Sequence, residues 1–262
     1  MPASLFNLPL PLAGALIIGC LCAYSLIGLA LFRRLILPRL KVCSEDSEFS
    51  GAMVQAIMVF YGLAVALVAV SVWETHSEVS DVVAREAACL ADLYRDTSTY
   101  PEPIRTELLG ELHGYTDYLI DKAWPSQRDG IQPIDGVRWM NRFQKSLTAF
   151  EPETKGSEIM HAEVIRSYNR LIEIRSLRMD AMLVKLPAVH WVVIYGGAMI
   201  SLASTFLFTV KDRRLHAIQV LLLAIFIGLV TTLVFAFDRP FQGDLAVGSE
   251  PYQLVRDQLM AE

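Results

Sequence analysis

Charge is scarce in this sequence, and four long stretches have none at all. Asp, Glu, Lys and Arg make up 19% of the 262 residues, against about 25% in ordinary soluble domains. The net charge is −5, so no global basic field marks a nucleic-acid partner. Cysteine is also sparse. Cys20 and Cys22 sit in an apolar run, Cys43 in a charged loop and Cys89 alone in the polar middle. None forms CxxC, and none has histidine partners at zinc spacing, which leaves unpaired thiols. Catalytic signatures are missing too: no GxxxxGK[ST], GxSxG, HExxH or GxGxxG occurs. His76-Ser77-Glu78 has the outline of a deaminase HxE, but no PCxxC follows. The histidines are scattered, and His113 suits a surface position better than a metal. These absences exclude the common enzyme classes, and no cofactor is expected.

What the chain does have is apolar sequence, concentrated rather than spread. Hydrophobic residues are 53% of it, and the mean hydropathy is +0.40. Residues 12–32, 51–73, 187–210 and 217–237 are free of Asp, Glu, Lys and Arg, and each reaches the ~20 residues needed to cross a bilayer. The first lacks a positive leading segment and a small-residue cleavage site. It ends on Arg33-Arg34, so it reads as a span and not a cleaved signal. Trp73 and Trp191 mark the same end of spans two and three, as in an interfacial aromatic belt. Spans without ionisable groups also argue against an ion-coupled pump.

Charges in the short loops predict orientation. Arg33, Arg34, Arg39 and Lys41 follow span one, and Lys211, Arg213 and Arg214 precede span four. The positive-inside rule puts both loops in the cytoplasm, and the acidic Glu45, Asp46 and Glu48 weigh little against it. The N-terminus, residues 74–186 and the C-terminal residues 238–262 then lie outside.

The fold class expected is an all-α membrane protein. Four transmembrane helices carry an inserted extramembrane helical bundle between the second and third. Residues 1–73 hold the first two spans, 74–186 the bundle, 187–237 the last two spans and 238–262 a tail. In the bundle, Val79, Val82, Leu90 and Leu93 recur at helical spacing with Glu86 on the same stripe. Pro101 and Pro103 open a second helix, with Ile104, Leu108, Leu112, Tyr115 and Leu119 on one face. After a loop at 125–136, Val137, Met140, Phe143 and Leu147 form the face of a third. Ser157 is the expected N-cap of a fourth, running to Lys185 and on towards Pro187.

Three patterns stand out as candidate sites. Ala52, Gln55, Val59, Gly62, Ala66 and Ala69 make a stripe of mostly small residues along span two, suited either to close helix packing or to a pore wall. Gly197, Ser201 and Ser204 make a second small stripe, expected to pack. Beyond span two, Glu74, Glu78 and Asp81 share a face. They could pair with Arg166, Arg170 and Arg178, or ring a vestibule together with Glu86. Asp238 ends span four, where the helix dipole disfavours an anion, so Arg239, Arg85 or a bound cation should compensate it.

Arg85-Glu86-Ala87, the two-plus-two spans around a helical insert, and Asp238-Arg239-Pro240-Phe241-x-Gly243 together resemble the bestrophin-like family of bacterial four-pass membrane proteins, catalogued as a domain of unknown function. The resemblance covers nearly the whole chain. It implies a homo-oligomeric, typically pentameric, ion channel in the bacterial plasma membrane. Span two would line the pore, the small stripe would fall on its wall, and lipid and inorganic ions would be the partners. The arginine helix would favour anions if it faced the axis, and the acidic face would favour cations. The alternative is a membrane-anchored sensor or scaffold whose bundle binds an extracytoplasmic partner.

Overall fold

Both sequence patterns, the uncharged runs and the amphipathic middle, resolve as helix. The computed structural model describes residues 8–36, 39, 46–208 and 212–260, with the backbone alone for 46–50. The helices are α1 (Leu10–Leu31), α2 (Asp46–Thr97), α3 (Ile104–Tyr118), α4 (Trp124–Arg128), α5 (Gly136–Ala149), α6 (Lys155–Ala181), α7 (Ala188–Thr205), α8 (Arg213–Phe237) and α9 (Glu250–Leu259). Short π-helical turns follow α1 at Phe32–Ile36 and α3 at Leu119–Ala123. No strand occurs among the described residues. Lys41, Cys43, Glu45, Val210 and Lys211, all used in the sequence reading, lie outside them. Cys20, Cys22 and Cys89 are free thiols.

Four helices are long and apolar enough to cross a membrane: Leu10–Ile36, Gly51–Thr97, Ala188–Thr205 and Arg213–Phe237. The chain is thus a multi-pass membrane protein, divided into two units. The first comprises residues 1–74 and 185–238, the second 75–184 and 239–262.

Close helix approach at small residues builds the first unit. A Cβ at Gly14 would stand 3.0 Å from Thr232, and one at Gly228 would meet the Ile18 side chain at 2.8 Å and its Cα at 3.1 Å, so α1 and α8 touch nearly backbone to backbone. Gly197 of α7 receives the Tyr61 ring, whose hydroxyl donates to the Ile194 carbonyl at 3.2 Å. Ser201 and Ser204 beside it are buried, so the second small stripe packs as expected. Ile17, Leu21, Val65, Val72, Ile194, Leu202 and Ala224 fill the core between these contacts. Several polar groups there are matched within their own helices, as hydrocarbon demands, although the Ser201 hydroxyl has no partner among the described residues. Ser25, Thr231 and Thr232 each donate to a carbonyl one turn back in their own helices. The first, seventh and eighth helices are also tied together by a polar chain. The Arg33 guanidinium, which can only donate, meets His216 Nδ1 at 2.7 Å. His216 Nε2 therefore keeps its hydrogen and donates to the Thr205 carbonyl at 3.1 Å. Phe60, Leu67, Val192 and Phe226 point out of the unit, an apolar exterior suited to lipid.

The second unit has its own core. α3 contributes Leu108, Leu112 and Tyr115, and the π-helical turn after it Leu119, as the periodicity predicts, and α5 contributes Met140, Phe143 and Leu147. Val137 does not join them and is 46% exposed. It lies in the first turn of α5, where Gly136 makes the contact instead, closed on by Tyr118, Tyr115 and Arg175. The cap of α6 also differs from the expectation. Thr154 is the N-cap, and Ser157 is its capping-box partner at the third helical position. α6 stops at Ala181, short of Lys185. Residues expected as a tail instead supply core: Phe241, Val247, Tyr252 and Val255 are all buried in this unit.

The glycine contacts carry a test. Gly228→Ala forces the Ile18 backbone away and should destabilise the protein by about 1–3 kcal/mol, the range for overpacking. Gly19→Ala, whose Cβ would enter open space, should be silent. Thermal melts of the two variants in the same detergent check the difference.

Candidate functional site

Span two carries the candidate path. Val54, Val65 and Val72 are buried and mark the face that α2 turns to its own unit. Roughly a third of a turn away lies the small stripe. Ala52, Gln55, Val59, Gly62 and Ala66 are exposed, and Ala69 is half-buried. Nothing stands within 4 Å of a Cβ built at Gly62. Among the described residues the stripe is therefore not a packing seam except at Ala69, in contrast to Gly14, Gly197 and Gly228. Span two is also the barest of the four, with 11% of its apolar stretch buried against 39% for the last.

The acidic residues that follow divide into two kinds. Glu74, Glu78 and Asp81 are exposed, and none forms an ion pair among the described residues. The expected pairing with Arg166, Arg170 and Arg178 is not made. Arg166 binds Glu163 on its own helix, and Arg178 is drawn to a different carboxylate.

That carboxylate is Glu86, and its place corrects the reading that grouped it with the vestibule acids. Glu86 and Arg178 are buried almost completely, at 0% and 1% side-chain exposure. Arg178 Nε donates to Glu86 Oε2 at 2.6 Å, and Nη2 to Oε1 at 3.3 Å. The Tyr115 hydroxyl donates to the same Oε1 at 3.3 Å. The guanidinium also lies over the Trp124 ring, 5.5 Å from its centroid, a cation–π contact. Glu86 is buried because its position on the apolar stripe of α2 faces inward, and only a charged partner makes that tolerable.

Trp124 extends the cluster to the C-terminal segment. Its indole N–H donates to the Val247 carbonyl at 3.1 Å, and its ring meets Tyr252 at 5.2 Å and Phe241 edge-on at 6.0 Å. Burial disfavours the charge on Arg178, but Glu86, with Tyr252 and Tyr115 adding to it, holds its pKa well above the ordinary value. Burial, and then the Glu86 charge, raise Tyr115 and Tyr252 above the usual tyrosine value of 10.

Asp238 is buried as well and accepts the Leu186 N–H at 2.7 Å. One donor to the anion at the end of α8 is thus a backbone N–H from the segment leading into α7, a partner without a mark in the sequence. Arg239 Nη1 donates to Gln242 at 2.8 Å, and Arg85 Nε to the Asp81 carbonyl at 3.3 Å. No group of three or more His, Cys, Asp or Glu that could hold a metal occurs among the described residues.

Both sequence signatures thus have a structural place. Glu86 of the first reaches Trp124 through Arg178, Phe241 of the second packs on the same ring, and Gly243 takes the left-handed conformation, φ +84°, that a side chain would resist. The model of the Bestrophin-like domain matches residues 19–252. The chain belongs to the Bestrophin-like family. None of the curated proteins and none of the solved structures matches it. A Bestrophin-like domain with four apolar helices fits a channel-like membrane protein, and the family is known for channels, not for catalysis.

Arg178 and Trp124 are the residues that sequence reasoning missed in these roles. The signal for the first was Glu86 itself, since a carboxylate on an apolar stripe calls for a cation. No comparable signal pointed to Trp124.

Two outcomes follow. Arg178→Met alone leaves Glu86 charged, buried and unpaired, and should cost about 3–5 kcal/mol. Arg178→Met with Glu86→Leu should recover most of that loss, read by denaturant unfolding of the purified protein. The tyrosines predict alkaline lability. The fold favours their protonated forms, so their contribution is complete below pH 10 and is lost as pH rises towards the raised values. Stability should fall steeply above pH 10, and Tyr115→Phe should blunt that fall.

Proposed function

We propose that the chain assembles as a homo-oligomeric ion channel of the bestrophin-like type, with α2 lining the path. The observation that carries this reading is the free stripe on α2. Five of its six residues are exposed, on the least covered of the four candidate spans. Small side chains on such a face suit both close approach between copies and a water-filled axis. Gln55 is the amide on that wall. Glu74, Glu78 and Asp81, exposed and outside any ion pair among the described residues, concentrate cations at its mouth. Glu86 and Asp238 hold the protein together and have no part in conduction. The second unit stands in this reading as an extramembrane helical bundle inserted between spans two and three. The positive-inside rule places it outside the plasma membrane together with the N-terminus and residues 238–262.

Single-channel recording in planar bilayers under asymmetric salt tests the proposal. The wild-type protein should pass current. Glu78→Lys should move the reversal potential towards anions, and Gln55→Leu should lower the unitary conductance. Folded, inserted protein that stays silent across voltage and calcium would refute the channel and favour a scaffold whose bundle binds an extracytoplasmic partner.

A further inference from the structure

We propose that the cleft between α3 and α5 binds a small zwitterion, an α-amino acid with an apolar side chain. The cleft has a volume of about 550 Å³, within the range of small-molecule sites. It lies wholly in the second unit, and the inference stands apart from the channel reading. Both signs of charge line it: Glu107, Glu111 and Glu151 on the one hand, Arg142 and Lys145 on the other. No ion pair joins any of these residues among the described ones.

The charges are held apart by contacts of their own. The Ser146 hydroxyl donates to Glu107 Oε1 at 2.7 Å. The Arg142 guanidinium lies over the Trp139 ring, 4.4 Å from its centroid. That ring is fixed in turn by its seat on Gly114, where any side chain would run into it. Glu111 is left without an answer to its charge. Its Oε2 is buried and has no hydrogen-bond partner. Burial, and then the Glu107 charge, raise its carboxyl above the ordinary value, against the opposing pull of Arg142 and Ser146. Such a carboxylate calls for a donor that carries positive charge, and an ammonium group supplies both.

Register orders the cleft from charged to apolar. Glu107 meets Ser146 and Gly114 meets Trp139, so the two helices run antiparallel. Glu111 is then level with Arg142, and Ile104 with Ala149 and Phe150. Ile104 and Phe150 pack on the core of the unit, and the Phe150 ring stands edge-on to Tyr100, 4.9 Å between centroids. An α-amino acid matches that order. Its ammonium donates to Glu111 and Glu107, its carboxylate accepts from Arg142 and Lys145, and its side chain reaches the end formed by Ile104 and Phe150. A ligand with a single charge leaves either the acids or the bases of the lining unanswered.

The test uses the full chain in phosphatidylcholine nanodiscs, with empty discs as the blank and saturation-transfer NMR as the readout. Probes of one carbon skeleton are compared: L-leucine, 3-methylbutylamine, which lacks the carboxylate, and 4-methylpentanoate, which lacks the ammonium. Leucine should bind saturably, the amine roughly tenfold more weakly or worse, and the acid not at all. Glu111→Gln and Lys145→Met should each weaken leucine binding by roughly tenfold, the loss of one hydrogen bond between charged groups. Glu158→Gln, exposed on α6, should leave it unchanged. Thermal melts check that each variant is folded, and if Glu111→Gln is not, Lys145→Met decides. The proposal is overturned if folded protein gives no saturable leucine signal, or if the amine binds as tightly as leucine. It is equally overturned if leucine binding is unmoved in folded Lys145→Met.

Discussion

An ion pair sealed from water, Glu86 with Arg178, sets the arrangement of the second unit. Removing two charges from solvent costs several kcal/mol for each ion, and the partners gathered around the pair offset that cost, with Arg178 Nη1 alone of the guanidinium nitrogens left without a hydrogen bond. The cluster is drawn from separate parts of the chain: α2 gives the carboxylate, α6 the guanidinium, α3 the Tyr115 hydroxyl and α4 the Trp124 face. A slip of any one helix by a turn would leave a charge stranded. The pair thus contributes less to net stability than to uniqueness, because few alternative packings satisfy it. Trp124 passes the same constraint on to Phe241, Val247 and Tyr252.

The sequence disclosed most where one property decides the outcome. Absence of charge over about 20 residues is nearly sufficient to mark a span, and all four emerged as helices close to where the apolar runs lie. The faces of α3 and α5 were legible for the same reason, apart from Val137 in a first turn. Contacts between elements were not legible. Helical period shows which residues share a face, but not which face meets which. Arg178 was visible as one of three arginines on α6, and Glu86 as the odd carboxylate on α2, yet nothing local joined them across ninety-two residues. The same limit applied to Asp238, whose need for a donor was clear from the helix dipole while the donor, a backbone N–H at Leu186, has no sequence mark. The C-terminal segment reads as a tail because its apolar residues are spaced too widely to announce a core.

Small residues serve two different ends in the membrane-spanning unit. In α1, α7 and α8 three glycines are used up in close approach, each closed on by a neighbour: Gly14 by Thr232, Gly197 by Tyr61, Gly228 by Ile18. Along α2 the same residue types lie open, with empty space around Gly62. Composition alone does not separate these uses, which is why both packing and pore wall stay open in the sequence. The separation comes from the valines of α2, which take the contacts within the unit and leave the small face for something else.

The core of the second unit has a consequence for the order in which the protein is made. Its partners come from residues 75–184 and 239–262, and α7 and α8 lie between them in the chain. When residues 75–184 leave the ribosome, Trp124 has neither the Val247 carbonyl nor the Tyr252 ring against it, and the hydrophobic socket for α9 stands empty. Both later spans must be inserted before residues 239–262 can fill it. The unit therefore matures last, after membrane insertion is finished, and the nascent chain carries an exposed apolar socket for as long as that takes.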